Sequence, residues 1–329
     1  MNNLSEPFDT HCHPHCERST GRHSWAEVFS KPAVSDCRIR KTKKITSDLC
    51  FRMAFADNIV DIWTNYFGQN SLLQPLWDNL RLDYRDYVRS PLFPIVLTVS
   101  SYFVFCLPFL VCDIVGDRWP WVQRFKLQPS QRPTASQLLH CAGVTLYNHV
   151  FLLLPASVAQ WLWRPPADLP DQAPALLELI VGVIGNLLLF DFQYFIWHLL
   201  HHRIRWLYVT IHAIHHRYSS PFALATQCLS GWELITVGFW TTLNPVILKS
   251  HLLTTWSFMV LHVYVSVEDH CGYDFPWSTS RLIPFGIYGG PSKHDVHHQK
   301  PSTNFAPHFS HWDKIFGTHA DFSFCNAVR

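Results

Sequence analysis

The sequence predicts an all-α fold: a multi-span helical integral membrane protein with a histidine di-metal centre at the cytosolic face of its helices. Three observations carry that expectation. Of 329 residues, 48% are hydrophobic and only 15% charged, whereas a soluble domain carries nearer a quarter charged. Several apolar stretches are long enough to cross the roughly 30 Å hydrocarbon core of a bilayer. Finally, the pattern H-x-x-H-H occurs three times, as His198, His201, His202, then His212, His215, His216, then His294, His297, His298.

Residues 1–67 are set apart. They are polar, hold the basic run Arg38-Ile-Arg-Lys-Thr-Lys-Lys44, and read as a disordered extension preceding a membrane domain over residues 68–329. The run reads as a solvated stretch with at most a weak attraction to anionic lipid. His11, Cys12, His13, His15 and Cys16 are zinc-binding residue types, but they lack a second ligand pair at finger-like spacing. No apolar core of a secretory signal occurs there, so insertion is expected to use the first spanning helix as an uncleaved anchor.

Four apolar regions follow, near residues 92–115, 144–163, 176–200 and 231–267. Pro94 and Pro108 would kink the first without excluding it. The Pro-rich linker 164–174, with Asp168 and Asp171, reads as a turn between antiparallel spans. The fourth region is too long for one span and is broken by Asn244-Pro245 and Lys249-Ser250-His251, which suits a hairpin of two. Cys106 and Cys112 fall inside the first run and read as buried small hydrophobes rather than disulfide partners.

Positions i, i+3 and i+4 of a helix share a face. Each histidine pattern therefore presents up to three imidazoles in one direction, and three such faces supply nine nitrogens, too many for one ion and suitable for two. To meet, the patterns must lie on one side of the bilayer. The loop on that side between the first two spans carries Arg118, Arg124, Lys126 and Arg132, while the opposite loop is acidic, which puts the histidines in the cytosol. Arg81, Arg85 and Arg89 before the first span weaken that inference for the N-terminus, where Asn3 in Asn3-Leu-Ser5 would accept a glycan if lumenal. His270, in Val267-Glu-Asp-His-Cys-Gly-Tyr273, can be a tenth ligand with Glu268 or Asp269 orienting an imidazole from behind, or part of a helix-end cap. His140, His149, His251, His262, His308, His311 and His319 lack the paired spacing and read as structural, although His262 precedes His270 by two helical turns. Trp206 and Tyr208 read as interfacial anchors. A net charge of +2 with no basic arm interleaved with aromatics near the chemistry argues against nucleic acid as a partner.

The chain resembles the sterol branch of the fatty acid hydroxylase superfamily. The segments that carry this are Leu73-Gln-Pro-Leu-Trp-Asp78, Ser90-Pro-Leu-Phe-Pro94, Trp197-His-Leu-Leu-His-His202, Phe222-Ala-Leu-Ala-Thr-Gln227, Ser266-Val-Glu-Asp-His270, Phe275-Pro-Trp-Ser-Thr279, Asn304-Phe-Ala-Pro307 and His311-Trp-Asp-Lys-Ile315. They cover residues 69–318; Cys271 stands where serine is expected, and residues 1–67 have no counterpart. The resemblance implies an endoplasmic reticulum enzyme with two iron ions (Fe) held by the histidines. It would insert one atom of O2 into an unactivated C–H bond, at C25 of cholesterol or in a related sterol, with electrons from an NADPH-linked membrane donor, and so feed regulation of sterol synthesis. The absence of cysteine from the patterns fits iron better than a zinc thiolate site. Two rivals remain: a C4-methyl sterol oxidase, which shares every histidine pattern, and a non-enzymatic membrane metal carrier. A carrier would need polar residues at mid-membrane, whereas here they cluster at span ends.

Overall fold

The computed structural model describes residues 72–163 and 168–321. The expectations for residues 1–67, with the His11–Cys16 cluster, the basic run and Asn3, lie outside the described residues. Among the described residues there is no strand, only two isolated bridges, and the architecture is helical throughout.

Six helices build the frame: α1, Phe93–Val115; α2, Ala135–Trp163; α3, Leu176–Arg203; α4, Gly231–Ile247; α5, Leu252–His270; and α6, Gly290–Gln299. The first three are long and apolar enough to cross a membrane. Helix α1 tolerates Pro94 because the first turn has no use for its missing N–H. Val96, Val104, Leu107, Val111 and Ile114 remain exposed along it, as a lipid-facing surface requires.

Helix α2 starts nine residues before the expected 144. Thr134 and Gln137 form a reciprocal capping box there, and the polar Gln137 and His140 hid that first turn from a reading based on hydropathy. A π turn at His149–Leu153 continues it. Helix α3 extends past the expected 200, because the first histidine pattern forms its last turn.

The fourth apolar region forms two helices with a turn at 248–251, and neither is among the three helices long and apolar enough to cross a membrane. Helices α4 and α5 are about 26 and 28 Å long at about 1.5 Å per residue. Lys249 takes φ 51 in the turn, and the His251 side chain caps α5 by accepting from Leu253 N–H at 3.0 Å. Helix α5 is the central post. Twelve of its 19 residues are buried, and it packs against α1, α3 and α6. Its approach to α3 is so close that a Cβ on Gly182 would stand 2.7 Å from Thr254 Cγ2.

At the end far from the histidines, the segment before α1 grips the linker after α2. Arg81 pairs with Asp171 at 2.7 Å, Arg85 and Arg89 pair with Asp168, and Trp77 donates to Pro170 O at 2.7 Å. The arginines that complicated the charge count are thus matched by acids at their own end.

At the histidine end a buried ion pair closes the bundle. Asp113 at the end of α1 accepts from Lys126 Nζ at 2.8 Å and from Tyr273 Oη at 2.9 Å, and Lys126 also sits 4.2 Å over the Tyr273 ring. The backbones of 125–127 and 272–274 pair beside it. The turn depends on Gly272, at φ 74, where a Cβ would meet Pro221 O at 2.8 Å. Asp113→Ala would strand the ammonium of Lys126 in a buried site. We expect a loss of about 3–5 kcal/mol, read as a lowered thermal unfolding midpoint in detergent.

Candidate metal centre

The three histidine patterns and His270 meet at one end of the bundle. Helix α3 delivers His198, His201 and His202. A π turn over Tyr208–His212 and a 3-10 turn over His215–Arg217 carry the second pattern, α5 ends on His270, and α6 carries the third. Nine of these ten imidazoles form two groups with ligand atoms within 4.8 Å of one another: His198, His202, His212, His216 and His297, and His215, His270, His294 and His298.

The partition follows helical geometry. The i and i+4 members of each pattern stay together, as His198/His202, His212/His216 and His294/His298; in helices α3 and α6 they are only about 40° apart around the axis. The i+3 member lies on the other flank. His215 therefore joins the group of the third pattern, and His297 joins the group of the first two. His201 joins neither. It stacks on Trp197 with ring centroids 3.6 Å apart and donates from Nδ1 to Trp197 O at 2.7 Å.

Most of the rings are fixed from behind. His198 Nδ1 donates to Phe305 O at 2.7 Å, His297 Nδ1 to Thr303 O at 2.6 Å, His298 Nδ1 to Tyr218 O at 3.0 Å, and His270 Nδ1 to Ser266 O at 2.8 Å. His212 alone is backed by a carboxylate, Glu233 Oε1, at 2.8 Å, and both side chains are fully buried. With hydrogen committed to Nδ1, each Nε2 presents a bare lone pair. The carbonyls that do this are themselves braced, since Asp313 accepts from the N–H groups of Phe305 and Ala306.

Seven Nε2···Nε2 contacts of 2.9–3.2 Å link the rings within the two groups. With its hydrogen on Nδ1 each ring would turn a lone pair toward its neighbours, and such pairs repel at these distances unless a cation lies between them. With metal–imidazole bonds of about 2.1 Å, nitrogens on one ion would stand about 3.0–3.4 Å apart, so the spacing suits nitrogens that share a cation, and the residues of each group fit a metal ion. Burial, with neighbouring imidazoles, holds His215, His294 and His298 well below the usual histidine range, and burial pushes His297 down to about 3. Those shifts favour the neutral imidazole in these four rings, the form that ligation needs.

Several sequence expectations are revised here. Glu268 and Asp269 do not touch the histidines of either group. Glu268 accepts from Thr279 N–H at 2.9 Å, while Asp269 accepts from Tyr288 Oη at 2.9 Å and His308 Nδ1 at 2.8 Å. The orienting acid is Glu233, which sequence reasoning missed because Ser230-Gly-Trp-Glu233 reads as an ordinary helix cap, and Ser230 does cap it. Trp206 is exposed like an anchor, but Tyr208 is half-buried, packing over His202 with centroids 5.3 Å apart. His140, His149, His251, His262, His308, His311 and His319 lie in neither group.

A cavity of about 70 Å³ opens beside the four-histidine group. Its wall includes His215, His270 and His294 but none of the five-histidine group, and its apolar lining includes Phe190, Leu229, Val237 and Pro307.

The chain is similar in sequence to several known proteins. The fatty acid hydroxylase family profile matches residues 183–318. The cholesterol 25-hydroxylase-like protein 1, member 2, of Danio rerio is 73% identical over 272 residues, covering 83% of this chain and 98% of that protein. The chain belongs to the fatty acid hydroxylase family. Other family relatives include the cholesterol 25-hydroxylase of Homo sapiens, 51% identical over 75% of this chain and 90% of that protein. That of Mus musculus is 50% identical over 75% of this chain and 82% of its own length. No solved structure matches the chain. The profile begins within α3 and ends just after the braced 303–313 segment, so it spans every histidine of this fatty acid hydroxylase's two groups.

Two outcomes follow for metal content measured on purified protein. His201→Ala should retain the wild-type amount, whereas His216→Ala should lose metal from the five-histidine group. Glu233→Gln keeps the size but removes the charge behind His212, and should weaken metal binding about 10–100-fold in a chelator competition.

Proposed function

We propose that this fatty acid hydroxylase is a sterol monooxygenase that hydroxylates the cholesterol side chain at C25. It would use a pair of iron ions, O2 and two electrons from an NADPH-linked membrane donor. The observation that carries the reading is the cavity. Its surface is mainly apolar, it sits against one histidine group only, and it belongs to a chain 50–73% identical to proteins named for cholesterol 25-hydroxylation or its likeness.

Size decides which part of the sterol enters. Sites that enclose a whole drug-sized ligand measure about 300–1,000 Å³, far above this cavity's 70 Å³. The slender end of the side chain fits, and the four-ring body stays outside, in lipid or along the helices. Phe190, Leu229, Val237 and Pro307 grip an aliphatic terminus and exclude water from it. His215, His270 and His294 place the neighbouring metal position within reach of that terminus. When bound, the irons supply the oxygen-activating redox chemistry; overall, R–H, O2, two electrons and two protons become R–OH and water. Glu233 and the carbonyls of Phe305, Thr303, Tyr218 and Ser266 keep the rings from turning as the charge at the centre changes.

The histidine end is assigned to the cytosolic face of the endoplasmic reticulum membrane. Arg118, Arg124, Arg203, Arg205 and Arg217 gather at that end, while the acids Asp168 and Asp171 offset the arginines at the other. A site at that level lets a lipid enter from the side while electrons arrive from water. Residues 68–329 form the hydroxylase domain in this reading, with α4 and α5 completing the membrane bundle.

Mass spectrometry of sterols from cells expressing the chain, fed labelled cholesterol and labelled 4-methyl sterols, tests the assignment. The expected product is the C25 alcohol, abolished by His215→Ala while membrane insertion persists. Oxidation at the ring methyl alone would assign the chain to the C4-methyl sterol oxidases, and transport of an ion across vesicles without sterol product would make it a carrier.

A further inference from the structure

One histidine outside both metal groups is placed as if to receive a ligand. His308 is 2% exposed and lines the cavity beside the four-histidine group. Two buried carboxylates hold it. Asp269 Oδ2 lies 2.8 Å from its Nδ1, and Asp191 Oδ1 accepts from the backbone N–H groups of His308 at 2.9 Å and Phe309 at 3.0 Å. Tyr288 Oη donates to the second oxygen of Asp269, which locks that carboxylate in turn. The His308–Asp269 contact engages Nδ1 and leaves Nε2 as the free polar atom of the ring. This Nε2 is buried and has no partner, and the same holds for the amide oxygen of Gln227, which lines the same cavity.

Outside the metal groups, two unanswered buried polar atoms line this cavity, and they specify a ligand. Buried polar atoms are normally hydrogen-bonded, and these two can be answered only by a group able to hydrogen-bond. They offer nothing to a C–H terminus. The hydrocarbon end of a sterol brings no such group. The alcohol made from it does, at the position next to His215, His270 and His294.

We propose that His308, held by Asp269, and Gln227 form an alcohol-recognition subsite that binds the hydroxyl of the oxidised side chain, so that the enzyme holds its own product more tightly than its substrate. This rests on the sterol reading above. It makes the product a competitor for the cavity, and turnover then falls as the alcohol accumulates in the surrounding membrane.

The test is direct binding to the full chain, metal-loaded and unreduced, in lipid nanodiscs, with cholesterol and its C25 alcohol as the two probes. Wild type should bind the alcohol roughly five- to tenfold more tightly than the parent sterol, the worth of a single neutral hydrogen bond or slightly more. His308→Asn keeps an amide N–H for Asp269 but removes the ring nitrogen that faces the cavity, and should bring the ratio of the two dissociation constants close to one. His308→Gln, whose amide reaches the position of Nε2, should restore part of the preference. Gln227→Leu lowers the ratio independently and decides the matter alone if the His308 variants fail to hold metal. An unchanged ratio in variants that retain metal overturns the proposal, as does an equal weakening of both sterols, which would mark a packing defect. A wild-type protein that binds neither sterol overturns the sterol reading itself and this subsite with it.

Discussion

Everything in this molecule is arranged to hold unprotonated imidazole nitrogens about 3 Å apart without a protein counter-charge between them. Left to themselves, nine such lone pairs would turn away from one another or take up protons. In five of the nine rings, backbone carbonyls and one carboxylate prevent the rotation by occupying Nδ1, and burial opposes protonation in the loop and α6 histidines. The centre is thereby made ready for cations before they arrive, and the strain of assembling it is borne by the surrounding bundle.

That requirement accounts for features of the fold that are otherwise unconnected. Helix α5 is buried because it must carry His270 into the middle of the cluster. The Lys126–Asp113–Tyr273 ion pair and the Gly272 turn pin the chain just beyond that histidine. The irregular 303–313 segment, strapped by Asp191 and Asp313, exists to present carbonyls to His198 and His297 and to seat His308 against the cavity. The two histidine groups have different surroundings: one has five histidines and an acid behind it, and the other has four and borders the cavity.

The sequence made much of this legible, for a physical reason. The H-x-x-H-H patterns, the apolar runs and the broken hairpin are local signals, and each reports the element that contains it. What they could not report is which flank of a helix meets which neighbour. Hence His201 looked equivalent to His215 and His297, although it turns onto Trp197 while they cross to the other pattern's group. Glu233 was hidden by its double use as a helix-start residue and a partner of His212. Asp269, one residue from a ligand, turned out to hold His308 rather than a metal-binding ring. The early start of α2 was missed because its first turn is capped by Thr134 and polar. In each case the missing information was a contact between residues distant in sequence.

The most direct measurement of the central claim is the metal stoichiometry and coordination of the purified, iron-loaded chain, by elemental analysis with X-ray absorption. The account predicts two ions per chain, each in a nitrogen-dominated shell with bonds of about 2.1 Å. A single ion per chain, or a shell containing sulfur, would contradict it.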